Sequence, residues 1–252
     1  DLSKPLKVDE TKITEEATHS WYRDEEPQHP YKGTTEPKYT GYDKEGHLKG
    51  NEKYSWCKAP RYDGIPYEVG PLARFIVGYA QGYKPMKELV DSTLKATGLP
   101  ATVLFSTLGR TAARALEAKL VGDNAEAWVN ELIANVKKGD TRTWTRCDVP
   151  RKPAQGRGMT DPPRGALGHW INIEKGVIAN YQAVVPSTWN CSPRDKKGVR
   201  GPYEESLIGT KLAKVDQPLE IIRTIHSFDP CMACAVHIID PQTNEVKQFK
   251  VA

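Results

Sequence analysis

The hydrophobic positions fall into three regimes along the chain. Up to about residue 54 there is scarcely any aliphatic periodicity, and turn chemistry recurs at Pro27-Gln28-His29-Pro30, Tyr31-Lys32-Gly33 and Asp43-Lys44-Glu45-Gly46. Trp21, Tyr22, Tyr31, Tyr39 and Tyr42 run through this stretch. Such rings offer large contact area at little entropic cost, so they predict an extended polar segment laid over another surface. The second regime has helical spacing. Pro71 suits a first helical turn, and the pattern predicts a helix over residues 72–81. Leu104, Leu108, Ala112, Leu116 and Leu120 recur every four residues and predict one apolar stripe. Asp123 followed by Glu126 resembles a capping box, opening a helix whose buried face is Trp128, Val129, Leu132, Ile133 and Val136. The third regime follows a Pro-, Gly- and Arg-rich stretch, residues 142–159, that reads as a surface loop. Trp170, Ile171 and Ile173, a turn at Glu174-Lys175-Gly176 and residues 177–185 predict a hairpin. Helical stretches are expected over 203–212 and 218–228, and a small ribbon over 238–252 with a turn at Pro241-Gln242-Thr243-Asn244. The fold expected is α+β, a helical block plus a β-hairpin, in segments 1–54, 55–140 and 141–237 followed by a C-terminal piece, 238–252.

Size and charge narrow this picture only a little. A chain of 252 residues is long enough for one large domain or two small ones. Its 36 basic and 32 acidic residues are interspersed, so the net charge of +4 reads as a mixed-charge surface and no nucleic-acid partner is expected. No run of about 18 apolar residues occurs, so no membrane span is expected. The chain begins at Asp1 with neither an initiator Met nor a signal-like segment, and reads as a fragment or a processed product. Five cysteines, an odd number and mostly far apart, argue against a disulfide framework and for metal or redox chemistry.

That chemistry concentrates in Asp229-Pro230-Cys231-Met232-Ala233-Cys234-Ala235-Val236-His237. Asp as N-cap and Pro at the first helical position predict a helix start, with Cys231 and Cys234 on one face of its first turn. A helix N-terminus favours the thiolate, which is the form that ligates metals or attacks disulfides. On residues alone four readings stay open: a structural zinc site short of a ligand, a redox pair, a catalytic metal site completed from elsewhere, and plain buried cysteines.

Four motifs in order reduce the choice. Tyr54-Ser55-Trp56-x-Lys58-Ala59-Pro60-Arg61-Tyr62, Pro163-Arg164-Gly165-Ala166-Leu167-Gly168-His169-Trp170, Asn180-Tyr181-Gln182-x-Val184-Val185-Pro186-Ser187-Thr188-Trp189-Asn190 and Asp229-Pro230-Cys231-x-x-Cys234-x-x-His237 closely resemble the large subunit of nickel-iron hydrogenases, in its C-terminal half. The family's N-terminal Arg-x-Cys-x-x-Cys motif has no counterpart here, so two of the four metal thiolates are present. The resemblance implies a Ni-Fe centre whose iron carries CO and CN ligands. Cys231 matches the terminal nickel ligand and Cys234 the thiolate bridging nickel and iron, a soft-ligand setting that suits such metals. Arg164 matches the arginine above the open site, as base or electrostatic partner in heterolytic H2 cleavage, and Asp229 the carboxylate that pairs with it. Pro163 and Ser187 match groups that pack on or hydrogen-bond the iron's diatomic ligands. His237 and the backbone carbonyl of Ala183 match ligands of a magnesium ion. His169 and His226 read as structural histidines, and Cys57, Cys147 and Cys191 as inert.

Fifteen residues follow His237, where the family is cut after nickel insertion. The resemblance therefore implies a maturation boundary between His237 and Ile238, a cleavable extension over 238–252 and a precursor form. It also implies an iron-sulfur small subunit that holds those clusters, the N-terminal half of the large subunit, a maturation endopeptidase and nickel-insertion proteins as partners. The final motif resembles membrane-associated uptake enzymes, which places the mature protein peripherally on the periplasmic face of the cytoplasmic membrane and the precursor in the cytoplasm. A rival of another class is a metal-free or zinc-bound scaffold related to respiratory NADH:quinone oxidoreductase subunits, and Cys231 and Cys234 argue against it.

Overall fold

The computed structural model describes residues 7–23, 26–49, 53–231, 235–239 and 246–250, the last two stretches as backbone alone. The chain divides into two compact units. One gathers Pro71–Ala154 and the hairpin tip Ile173–Ile178; the other gathers Lys7–Gly70, Gln155–Asn172 and the chain from Ala179 onward.

The first unit is helical. Pro71 opens α1 (Pro71–Ala80), as its fixed φ favours, and α2 (Lys84–Thr97) stops at Gly98, whose left-handed φ of 66° lets its amide reach the Leu94 carbonyl. A short 3-10 turn, Ala101–Leu104, leads to α3 (Thr107–Lys137), where the Ser106 side chain caps the amide of Gly109. Glycine is required at 109, because a Cβ there would stand 2.1 Å from the Leu104 carbonyl oxygen. Leu72, Phe75, Val90 and Ala113 are buried between the three helices, and Arg74 grips Glu117 through two hydrogen bonds of 2.6 and 2.7 Å. An apolar cavity of about 130 Å³ lies among Leu72, Phe75, Val90, Leu104 and Leu116.

Two expectations about α3 are corrected. The four-residue repeat does not make one buried stripe: Leu108 is 74% exposed, whereas Gly109 and Ala113 are buried. Each step of four overshoots a turn by about 40°, so the row starts off the packing face at Leu108 and reaches it only by Leu116 and Leu120. No new helix starts at Asp123 either, because its carboxylate takes the i−4 ammonium of Lys119 at 2.8 Å and α3 runs on unbroken. Trp128, Val129, Leu132, Ile133 and Val136, expected as a buried face, are all exposed. Length explains this. At 1.5 Å per residue α3 is about 46 Å long while α1 and α2 are about 15 and 21 Å, so its second half has no helix of this unit beside it.

The second unit is built on short strands. β1 (Ile13–Glu16) pairs antiparallel with β2 (Ala59–Tyr62), Ile13 facing Tyr62 and Glu16 facing Ala59. The loop between them holds a cluster of Trp21, Tyr22, Tyr39, Tyr42 and Trp56, mostly in edge-on contact as ring quadrupoles prefer. The loop is pinned by Lys53, whose fully buried ammonium donates to the carbonyls of Ala17, Ser20 and Tyr22 at 2.6, 2.8 and 3.1 Å and to that of Thr18 at 3.3 Å. Removing that donor strands carbonyls in a dry place. Lys53→Met is accordingly expected to lower stability by about 2–4 kcal/mol, read as a reduced urea midpoint, and an unchanged midpoint would refute the anchoring role. On β2, Arg61 is buried and all five of its N–H donors are used: Nε on Asp195 at 3.0 Å, Nη1 on Pro60 O and Ser192 Oγ, Nη2 on Pro193 O and Val199 O.

β3 (Ala154–Thr160), β4 (Leu167–Glu174) and β5 (Val177–Val184) form a sheet in that order. The β4–β5 hairpin stands where the period-two pattern predicts it, and Lys175 and Gly176 at φ 54° and 80° form the left-handed turn that suits strand twist. β3 occupies part of the stretch read as a loop; its Gly156 and Gly158 and mostly exposed residues hide a strand signal. Ile13, Trp170, Val184 and Trp189 make one core, and Tyr203, Ile225 and Phe228 another. α4 (Pro186–Asn190), α5 (Pro202–Leu207) and α6 (Leu219–His226) follow the sheet. α5 stops short of the expected residue 212 because Ile208 turns extended and Gly209 takes a φ of 78°. β6 (Ala235–Ile239) and β7 (Val246–Lys250) pair antiparallel; the expected turn at Pro241-Gln242-Thr243-Asn244 lies outside the described residues. Among the described residues, no helix is long and apolar enough to cross a membrane.

Candidate metal centre

The expected helix start at Asp229 is not formed. Asp229 instead sits at φ 56° just past α6, its amide on the His226 carbonyl at 2.9 Å, and the chain enters β6 six residues later. Two local preferences decide this. Asp tolerates the left-handed conformation that ends a helix, and β-branched Val236, Ile238 and Ile239 favour a strand over a helix.

This stop aims Asp229 at Arg164. The arginine lies in the loop between β3 and β4, where Gly165, at φ 127°, comes so near Gly70 that a Cβ would be 2.6 Å from its nitrogen. Arg164 Nε donates to the Asp229 carbonyl at 3.0 Å and stands 3.2 Å from Asp229 Oδ2, and Nη2 lies 3.4 Å from Oδ1. Both side chains are 39% exposed, so the pair adds at most about 1 kcal/mol to stability. Its effect is to fix a guanidinium two residues from a thiol. That thiol, Cys231, is exposed and free, and its amide donates to the buried Ser187 hydroxyl at 3.2 Å from the start of α4.

The structure thus brings together Arg164 with Asp229 and Ser187 with Cys231. Pro163 is exposed beside Arg164, and Ala183 is half-buried in β5. Cys234 lies outside the described residues, and of His237 and Ile238 the backbone alone is described, in β6 opposite Gln248 and Lys247. Among the described residues no three His, Cys, Asp or Glu side chains are grouped to hold a metal ion. His169 pairs with the Tyr181 hydroxyl, and Cys147 is an exposed free thiol. Contact with Cys191 pulls the Cys57 thiol below its usual range, against the opposing effect of burial.

A buried polar network adjoining Ala183 was not visible in the sequence. Lys58 Nζ donates to Thr34 O at 2.5 Å, Thr35 Oγ1 at 3.2 Å and Gln182 Oε1 at 3.3 Å, while Thr35 Oγ1 donates to Gln182 Oε1 at 2.9 Å. Its partners come from segments over a hundred residues apart; only Lys58 and Gln182, each inside a recognised motif, hinted at it. Glu15 lies near this lysine, and burial pushes its carboxyl up to about 7 although Lys58 pulls it down. Between the ordinary value of 4.5 and about 7 the unfolded chain has released this proton and the folded chain still holds it, so stability falls as pH rises through that window. Glu15→Gln is expected to flatten this fall and to stabilise the protein at pH 8 by on the order of 2 kcal/mol, with little change near pH 4. Urea unfolding at the two pH values measures it, and equal effects at both would reject the assignment.

Fold and site together define an α+β chain that presents a free thiol beside a fixed arginine–aspartate pair. A sequence profile described as nickel-dependent hydrogenase matches residues 1–237. The chain is 50% identical over 265 residues to the quinone-reactive Ni/Fe-hydrogenase large chain of Wolinella succinogenes, covering 100% of this chain and 46% of that one. It is 49% identical to the uptake hydrogenase large subunit of Rhizobium leguminosarum bv. viciae, covering 97% of this chain and 43% of that one. Among solved structures, the H2-activated NiFeSe hydrogenase of Dm. baculatum superposes with a TM-score of 0.73 at 31% identity, over 90% of this chain and 45% of that one. The chain belongs to the nickel-dependent hydrogenase family. It spans a little under half the length of these relatives.

Proposed function

We propose that this chain is the C-terminal half of a hydrogenase large subunit and supplies half of the thiolate set of a nickel-iron centre, at which the complete enzyme interconverts H2 with two protons and two electrons. The observation that carries this is the Arg164–Asp229 pair, joined across 65 positions and ending two residues before Cys231 in the chain. The donor chemistry fits the group. Cys231 and Cys234 would provide soft thiolates to hold nickel and iron, and the remaining thiolates would come from the portion of the subunit outside this chain. When bound, the centre, with CO and CN on its iron, supplies an open position for H2 and the capacity to take up its electrons.

The chain's own residues prepare that position. Ser187, by accepting the Cys231 amide, fixes the backbone that carries the thiolate, and with Pro163 it would pack on or hydrogen-bond the iron's diatomic ligands. Arg164 would hold a positive charge beside that position as an electrostatic partner for heterolytic H2 cleavage, and Asp229 keeps the guanidinium aimed. His237 and the Ala183 carbonyl would hold a magnesium ion. Cleavage after His237 completes maturation, in keeping with a family match that ends at residue 237. Electrons leave through an iron-sulfur small subunit, a maturation endopeptidase and nickel-insertion proteins act on the precursor, and the mature protein lies peripherally on the periplasmic face of the membrane.

Elemental analysis and infrared spectroscopy of the chain assembled with the rest of the large subunit test the reading. Nickel and iron together with carbonyl and cyanide bands are expected. Zinc alone, or an absence of those bands, would overturn it.

A further inference from the structure

Cys57 and Cys191 stand far apart in the chain, and the fold brings their side chains into contact. Read singly, each is a small residue without chemistry; together they are a dithiol, and both are in the reduced form. The backbones that carry them are held together by other groups. Cys57 leads into β2, its amide donating to Ser55 Oγ at 3.0 Å and its carbonyl accepting from Ser20 Oγ at 2.6 Å. Cys191 closes α4, with its amide on the Ser187 carbonyl at 2.8 Å, and it packs against the core of Tyr203, Ile225 and Phe228. From β2, Arg61 reaches the residues that follow Cys191, Nη1 donating to Ser192 Oγ and Nη2 to the Pro193 carbonyl, both at 3.2 Å. Gly201 presses on the same turn, since a Cβ there would stand 2.0 Å from the Ser192 carbonyl oxygen. The two sulfurs therefore meet in a frame that leaves the turn little room to move.

We propose that Cys57 and Cys191 are a redox site that takes hydrogen peroxide as its oxidant and closes reversibly to a disulfide tying α4 to the entry of β2. Peroxide gives an oxygen to the sulfur of Cys191, the less buried of the two: an S–O bond forms, the O–O bond breaks and one water leaves. Cys57 then attacks that sulfur: the S–S bond forms, the S–O bond breaks and a second water leaves. The two thiols lose two electrons and one peroxide gains them. Cys57 suits the second role, because contact with Cys191 and a bond with Ser55 favour its thiolate against the opposing effect of burial. With the partners held in contact the attack is intramolecular, so the sulfenic acid is captured before further oxidation. Neither cysteine belongs to the set assigned to the metals, and the assignment stands apart from the nickel-iron reading.

The test treats the purified, reduced full chain with hydrogen peroxide, blocks the remaining thiols and digests with trypsin. A linked pair of peptides, 54–58 with 176–194, should appear in the mass spectrum and vanish on reduction with a phosphine. In the folded chain this link should exceed any link to Cys147 by on the order of tenfold, and in urea that preference should disappear, since the fold creates it. The oxidised chain should unfold at a urea concentration about 1 M higher than the reduced chain, because a tie across so long a loop restrains the unfolded state. Cys191→Ser should abolish both the link and the shift, with circular dichroism reporting the retained fold, and Cys147→Ser should abolish neither. The absence of the linked pair, oxidation confined to peptide 224–247 with Cys231 and Cys234, equal linking of Cys57 to Cys147 in the folded chain, or a midpoint that does not rise would each refute the assignment.

Discussion

Cys231→Ala is expected to remove nickel from the assembled protein altogether while leaving the fold almost untouched. The two halves of that expectation have separate causes. Cys231 is exposed, so deleting its sulfur uncovers no cavity and changes stability by no more than about 0.5 kcal/mol. Ligation, by contrast, depends on a thiolate that the groups bonded to this turn do not replace: Arg164 and Ser187 offer a cation and a neutral hydroxyl. Cys147→Ala removes another exposed thiol, outside every motif of the site, and should leave nickel at the parental level. Nickel per mole of purified complex, by mass spectrometry, is the measurement. Full nickel in the Cys231 variant, or equal losses in both, would remove Cys231 from the centre.

The largest effect on folding is expected at Arg61. Arg61→Met should lower stability by about 3–5 kcal/mol, because it leaves the Asp195 carboxylate without its charge partner in a site where both side chains are 5% exposed or less. Asp195 keeps its bonds from the amides of Lys197 and Val199, so it would remain placed but uncompensated. Pairing Arg61→Met with Asp195→Leu should recover part of the loss, since an apolar pair of similar bulk avoids the stranded charge. Urea denaturation of the single and double variants measures this. A single variant within about 1 kcal/mol of the parent would show that the buried pair is dispensable.

The same comparison shows what local sequence can and cannot announce. The β4–β5 turn was legible because Lys175-Gly176 between alternating apolar residues has few other conformations open to it. The Arg164–Asp229 pairing was legible only through motif order, since nothing local in either residue points 65 positions away. Asp229-Pro230 misled because the chemistry that caps a helix start also tolerates the left-handed stop, and the following strand decides between them. On α3, periodicity predicted a buried face at Trp128, Val129, Leu132, Ile133 and Val136 that the structure leaves exposed, because spacing marks which residues share a side and not what covers it. The Glu15–Lys58–Gln182 neighbourhood stayed hidden for a further reason: a buried charged residue looks like any surface charge until the fold closes over it.

Lys53 has a consequence of this last kind. Oxygen cages lined by backbone carbonyls are the usual seats of free cations, which come and go with their concentration in solution. Here the cation is a side chain, covalently tethered and bonded to the carbonyls of Ala17, Ser20 and Tyr22. Its occupancy depends on neither ion supply nor chelators, so the loop between β1 and β2 keeps its shape whatever the ionic composition of the solution.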